Sequence, residues 1–189
     1  MLKTVVIGSG SWGTALAQVL VDNAREVVLW GKNPKEIDDI NLRHQNTRFF
    51  PDVTLHESLK ATCDLNVVRD ADLLVLSVPT IAVEELCIKI GALVEKPVIV
   101  VNTSKGFHPQ TNERMSNVIR RFMPKDKLKS VVSLIGPSHA EEVVLRMLKR
   151  FVPYPYVKRM PVPCRSCSRT NICVFTAEMT RLEVKSALH

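Results

Sequence analysis

Thr4-Val5-Val6-Ile7-Gly8-Ser9-Gly10-Ser11-Trp12-Gly13, running on into Thr14-Ala15-Leu16-Ala17, is the stretch that decides the fold. The β-branched run predicts a strand, and it ends in Gly-x-Gly-x-x-Gly. Apolar residues at Leu16, Val19 and Leu20 then take up helical spacing at once. Strand, tight turn and helix in that order open a dinucleotide-binding unit. Gly8 allows the sharp turn, Gly10 lets the backbone approach a pyrophosphate, and Gly13 lets helix and strand pack closely. Unpaired amides in the first turn of the helix face the anion. A glycine-rich turn that binds nothing is the bland alternative; the placement between strand and helix argues against it.

The length of 189 residues suits one domain, or one and part of another. The net charge of +7 invites a nucleic-acid reading, so its location matters. Residues 1–148 carry 18 Lys or Arg against 17 Asp or Glu, whereas residues 149–189 carry 8 against 2. The body is nearly neutral and the basic excess belongs to the tail, which removes the main reason to expect a nucleic-acid partner. The apolar opening is too short for a signal peptide, and no apolar run nears the roughly 20 residues of a membrane span. The expectation is a soluble, cytoplasmic protein with no membrane partner.

Strand and helix patterns alternate from Lys3 to Ile135. They predict an α/β fold, a doubly wound Rossmann-type parallel sheet covered on both faces. Strands are expected at 3–8, 26–30, 73–78, 97–102 and 130–135, with a weaker one near 65–68; helices are expected at 11–23, 34–45, 80–93 and 111–122. Asn33-Pro34 opens the second helix as cap and first-turn proline. Ligands in such sheets sit beyond the carboxyl ends of the strands. Gly8–Gly13, Trp30–Asn33, Ser77–Thr80 and Asn102–Gly106 should therefore converge, joined by Gly136–His139. The second strand ends without the carboxylate that ordinarily binds the adenosine ribose. Lys32 stands there instead, suited to a 2′-phosphate, so the cofactor is NADPH or NADH.

These segments together resemble bacterial NAD(P)-dependent glycerol-3-phosphate dehydrogenase. The resemblance rests on the glycine turn, Val27-Val28-Leu29-Trp30, Val78-Pro79-Thr80, Asn102-Thr103-Ser104-Lys105-Gly106 and Gly136-Pro137-Ser138-His139-Ala140-Glu141-Glu142, and it covers residues 2–146. It implies reduction of dihydroxyacetone phosphate to sn-glycerol 3-phosphate for phospholipid synthesis, by a homodimeric enzyme. Carried over by position, it places Ser11, Trp12, Lys32, Phe49 and Ala140 against the cofactor and Lys105 against both cofactor and substrate. Gly136 and Ser138 would hold the substrate. His139 is not assigned a catalytic role, and a loop histidine satisfying backbone groups is the simpler reading. The family's catalytic lysine belongs to a helical second domain, in a segment like Gly-Ala-Leu-Lys-Asn. No such segment occurs here, so that lysine is expected beyond His189 and no catalytic residue within the chain.

The resemblance stops at Arg146. Residues 147–189 hold Pro153, Pro155, Pro161 and Pro163, no glycine and no sustained hydrophobic period. Restoring one base after the Arg146 codon rereads this stretch, with permitted codons, as a sequence containing Arg-Val-Tyr-Ser-Gly-Asn-Asp. That is similar to the family's continuation. The expectation is a nucleotide-binding domain over 1–146, a disordered out-of-frame tail over 147–189, and a truncated, inactive form of the enzyme. Cys164-x-x-Cys167 with Cys173 and His189 makes a poor zinc set, so no metal is expected. Tyr154, Tyr156 and Phe175 among basic residues leave a cofactor-binding pseudoenzyme with an interaction tail as the alternative. A 6-phosphogluconate or hydroxyacid dehydrogenase sharing the first domain is a further one.

Overall fold

A computed structural model describes residues 2–23, 26–135, 139–145 and 152–154. Its seven strands are β1 (Lys3–Ile7), β2 (Glu26–Trp30), β3 (Lys60–Thr62), β4 (Leu73–Leu76), β5 (Val98–Asn102), β6 (Leu128–Ile135) and β7 (Val152–Tyr154). They form one sheet in the order β3-β2-β1-β4-β5-β6-β7. The first six are parallel, and β7 pairs antiparallel with β6 at the edge. The helices are α1 (Ser11–Asp22), α2 (Pro34–Asp38), α3 (Thr80–Leu93), α4 (Met115–Phe122) and α5 (Ala140–Val144).

Alternation along each strand builds two cores, one per face of the sheet. Val6, Leu73, Val75, Ile99 and Val101 join α1 and α5 on one side. Val5, Ile7, Leu74, Leu76, Val98 and Val100 join α3 and α4 on the other. All five residues of β5 are buried, as a central parallel strand covered on both faces requires. Val5, Val6 and Ile7 are wholly buried; each is worth about 1.5–3 kcal/mol in apolar surface removed from water. β1 is therefore the axis of the fold, and the glycine turn is fixed at its carboxyl end.

The doubly wound parallel sheet agrees with the sequence pattern, and four details depart from it. The stretch near 65–68 is a 3₁₀ turn, opened by the Asp64 side chain accepting from the Asn66 amide. The strand pairing with β2 is Lys60–Thr62 instead. The helix expected at 34–45 breaks after Asp38 into a π-helical turn over Asp39–Arg43, which His44 ends in the left-handed region at φ 52°. The helix expected from 111 begins at Met115, because Asn112 is left-handed at φ 54° and Arg114 bridges back to Phe107. β7 lies within the stretch set apart as a tail; residues 146–151 and 155–189 lie outside the described residues.

Candidate functional site

The strand order turns back between β1 and β4, since the chain runs outward from β1 through β2 to β3 and then crosses over to β4 on the other side of β1. The glycine turn sits at that point. Gly8 has φ +117°, and a Cβ on it would lie 2.3 Å from the Ser77 carbonyl oxygen. A Cβ on Gly13 would lie 1.8 Å from the Gly8 carbonyl oxygen. At Gly10, by contrast, a Cβ would meet nothing within 4 Å. Two glycines are thus demanded by the protein's own packing, and the third borders open space. Gly10 caps α1 without a side-chain hydrogen bond, and no acidic residue stands in the helix's first turn. That corner has the amides, the sign of dipole and the room that a pyrophosphate requires.

The neighbouring segments are tied to this turn by short bonds. The Gly8 amide donates to the Trp30 carbonyl at 2.8 Å and the Ser77 amide to the Ile7 carbonyl at 2.8 Å. Thr103 Oγ1 donates to the Leu76 carbonyl at 2.8 Å, and Ser104 Oγ to the Val78 carbonyl at 2.6 Å. The four segments expected to converge therefore meet at one edge of the sheet. Lys105 Nζ stands 5.6 Å from the centroid of the Trp12 ring, a cation–π distance. Ala140 is buried at the start of α5, within the same apolar cluster that Trp12 packs against. Lys32 is exposed just beyond β2, and Phe49 is half-buried against the α1-side core. His139 is exposed as the cap of α5, with no side-chain capping bond. Gly136 and Ser138 lie outside the described residues, as do Cys164, Cys167, Cys173 and His189.

Sequence reasoning missed a polar brace behind the turn. Ser9 Oγ donates to Glu36 Oε2 at 2.7 Å, and Glu36 Oε1 accepts from Asn33 Nδ2 at 3.0 Å and Arg48 Nη1 at 2.7 Å. Burial by itself would raise the Glu36 carboxyl, but the bonds from Ser9, Arg48 and Asn33 outweigh it and hold the group below its ordinary value. Asn46, wholly buried, donates through Nδ2 to the Ser9 carbonyl and to Thr14 Oγ1, both at 2.9 Å. Asp39 accepts from the Thr47 amide and hydroxyl at 2.8 Å and from Arg43 Nε at 2.6 Å. The segment from Asn33 to Phe50 is thereby bolted to the back of the glycine turn. The one hint in the sequence was the polar side chain of Ser9 inside the turn itself.

Fold and turn together define a dinucleotide-binding Rossmann domain. Among known proteins, the model for the N-terminus of NAD-dependent glycerol-3-phosphate dehydrogenase matches residues 3–152. The chain belongs to this family. It is 42% identical over 145 residues to glycerol-3-phosphate dehydrogenase [NAD(P)+] of Streptococcus equi subsp. zooepidemicus, covering 76% of this chain and 43% of that protein. The Listeria innocua enzyme of the same name is 43% identical over the same length, with the same coverage. The crystal structure of glycerol-3-phosphate dehydrogenase from Coxiella burnetii superposes with TM-score 0.71 at 26% identity, covering 79% of this chain and 45% of that one. The Plasmodium falciparum enzyme superposes with TM-score 0.71 at 28% identity, covering 80% and 45%. The chain thus spans less than half the length of each of these four relatives.

Proposed function

We propose that this chain supplies the cofactor-binding half of a glycerol-3-phosphate dehydrogenase [NAD(P)+], the enzyme that reduces dihydroxyacetone phosphate to sn-glycerol 3-phosphate for phospholipid synthesis. The observation that carries this reading is the contrast within the glycine turn. Gly8 and Gly13 are jammed against backbone, while Gly10 opens onto space at the amide end of α1. The cofactor, NADH or NADPH, supplies a hydride for the ketone carbon when bound. Ser11, Trp12 and Gly13 offer their amides to the pyrophosphate, Lys32 and Phe49 border the adenosine end, and Ala140 packs against the dinucleotide. Lys105 holds the phosphorylated substrate from the cofactor side; a phosphate dianion needs such a cation. Gly136 and Ser138 complete the substrate's side, and the family lysine that moves the proton is not among residues 1–189.

The 189-residue polypeptide is therefore expected to bind NADPH or NADH and to show no steady turnover. Tryptophan-fluorescence titration and a dihydroxyacetone phosphate assay on the same preparation test this together. Saturable binding without turnover supports the reading; steady cofactor oxidation removes the claim that half the catalytic set lies elsewhere. Sequencing the DNA around codons 146–147 decides whether residues 147–189 are out of frame. The charge excess of 149–189 favours one second reading, a cofactor-binding protein with a basic interaction tail. Loss of a specific RNA or protein contact on trimming to residues 1–146 would support it. A cytoplasmic homodimer is the assembly this function would take.

A further inference from the structure

Lys105 lies on the exposed loop that follows β5, and a long side chain serves a fixed anion well only when its backbone is held. On the upstream side it is held. Thr103 Oγ1 and Ser104 Oγ donate to the Leu76 and Val78 carbonyls at the end of β4 and in the turn after it. On the downstream side the first two residues give no such hold. Gly106 has φ +99° and a Cβ on it would meet nothing within 4 Å, while Phe107 is 61% exposed. The next anchor along the chain therefore decides how firmly Lys105 is placed.

That anchor is His108. It is 4% exposed, although Gly106, Phe107, Pro109 and Gln110 around it are all exposed. Its amide donates to the Glu113 carbonyl and its carbonyl accepts from the Asn112 amide, both at 2.9 Å. Asn112 is left-handed at φ 54°, and Arg114 bridges back to Phe107, so the turn closes around the imidazole. Within the turn, Nδ1 accepts from the Thr111 amide at 3.3 Å, with the Thr111 hydroxyl at 3.1 Å. An amide nitrogen can only donate, so Nδ1 offers its lone pair and the proton of the neutral ring sits on Nε2. Nε2 stands 3.7 Å from Glu84 Oε2 on α3. One ring thus ties the turn to itself through one nitrogen and faces the neighbouring helix with the other.

We propose that His108 is a positioning residue for Lys105. By closing the turn over 107–114 and facing its Nε2–H to Glu84, it fixes the downstream end of the loop. The Lys105 ammonium is thereby kept near the Trp12 ring, 5.6 Å from its centroid, at the mouth of the crevice. His108 acts through Lys105 and not on the ligand. The inference rests on the cofactor-binding reading above and on the place that reading gives Lys105.

The test is a double-mutant cycle in NADPH affinity on the full chain, using His108→Leu, Lys105→Met and the two together. His108→Leu is expected to weaken binding about threefold or more, and the pair to bind within about twofold of Lys105→Met alone. His108→Asn keeps an acceptor where Nδ1 stands and is expected to recover most of the lost affinity. Losses that multiply in the pair, no loss in His108→Leu or Lys105→Met, or no recovery in His108→Asn overturn the proposal. Should His108→Leu fail to fold, the parent protein supplies a second measurement. NMR shifts of the two ring nitrogens at alkaline pH are expected to show a bare Nδ1 and a protonated Nε2; the opposite tautomer overturns the proposal. Either result leaves cofactor binding standing, which is overturned separately if the parent chain does not saturate with NADPH.

Discussion

The carbonyl oxygen of Gly8 occupies the position a side chain on Gly13 would need, 1.8 Å from its Cβ. The end of β1 and the first turn of α1 are consequently in backbone contact, which sets how near a ligand at Gly10 comes to the helix amides. Gly13→Ala must push strand and helix apart. It is expected to cost about 3 kcal/mol in urea unfolding and to abolish dinucleotide binding. Gly10→Ala places its methyl in open space. It should cost less than about 1 kcal/mol as a poorer helix cap, yet lower cofactor affinity more than about tenfold by filling the anion's place. If the two variants lose stability equally, the contrast between packed and open glycines is not what organises the site.

Lys105 and Trp12 join the loop after β5 to the start of α1 across the crevice. An exposed cation–π pair contributes about 0.5–1 kcal/mol, so Lys105→Met should shift the unfolding midpoint little. Its effect should appear in binding: NADPH affinity about fivefold weaker or more, because a charge-assisted contact to the ligand is lost. Comparison with Lys125→Met, an exposed lysine remote from the crevice in sequence, separates local contact from net charge. Equal losses in the two variants would reduce Lys105 to a contributor to the general field.

The sheet was legible because its strands are β-branched runs buried on both faces, with proline, asparagine and glycine marking the turns. Val98–Asn102 and Thr80–Leu93 needed nothing beyond local pattern. β3 was not legible: Lys60-Ala61-Thr62 has no apolar run, and it is a strand because Val28 to Trp30 offer it an edge. The break after Asp38 was equally hidden, since it depends on Asp39 finding Thr47, eight residues on. The crevice followed from the position of the strand ends. The brace of Glu36, Asn46 and Arg48 did not, because its partner Ser9 is 27 residues from Glu36 and 37 from Asn46. Spacing arguments reach the next helical turn and no farther.

Cys63 and Cys87 should differ sharply in reactivity. Cys63 is exposed in the loop after β3, whereas Cys87 is buried on α3 and its thiol is pushed up to about 12 by desolvation. The thiolate is the nucleophile, so Cys87 should resist iodoacetamide in the folded protein at pH 8 while Cys63 is alkylated. Peptide mass spectrometry before and after urea unfolding reads this directly. Modification of Cys87 at the rate of Cys63 under native conditions would mean that α3 opens locally.

Glu36 and Asp39 make the site's scaffold acid-sensitive. Burial raises each carboxyl, but hydrogen bonds outweigh it: Ser9, Arg48 and Asn33 at Glu36, Thr47 and Arg43 at Asp39. Both groups therefore titrate below their ordinary values of 4.5 and 3.8. A depressed carboxylate adds stability that is complete above its unfolded pKa and is lost as pH falls through the folded one. Unfolding free energy should accordingly keep this pair's full contribution, without pH dependence, between about pH 6 and 8 and fall steeply below about pH 4. Glu36→Gln should cost about 2 kcal/mol at neutral pH, from lost charge-assisted bonds, and should flatten that acid limb. Asp39→Asn should do the same through Thr47. Urea denaturation across pH would decide it: an acid limb in both variants that superimposes on the parent's would mean these two carboxylates do not carry the acid sensitivity.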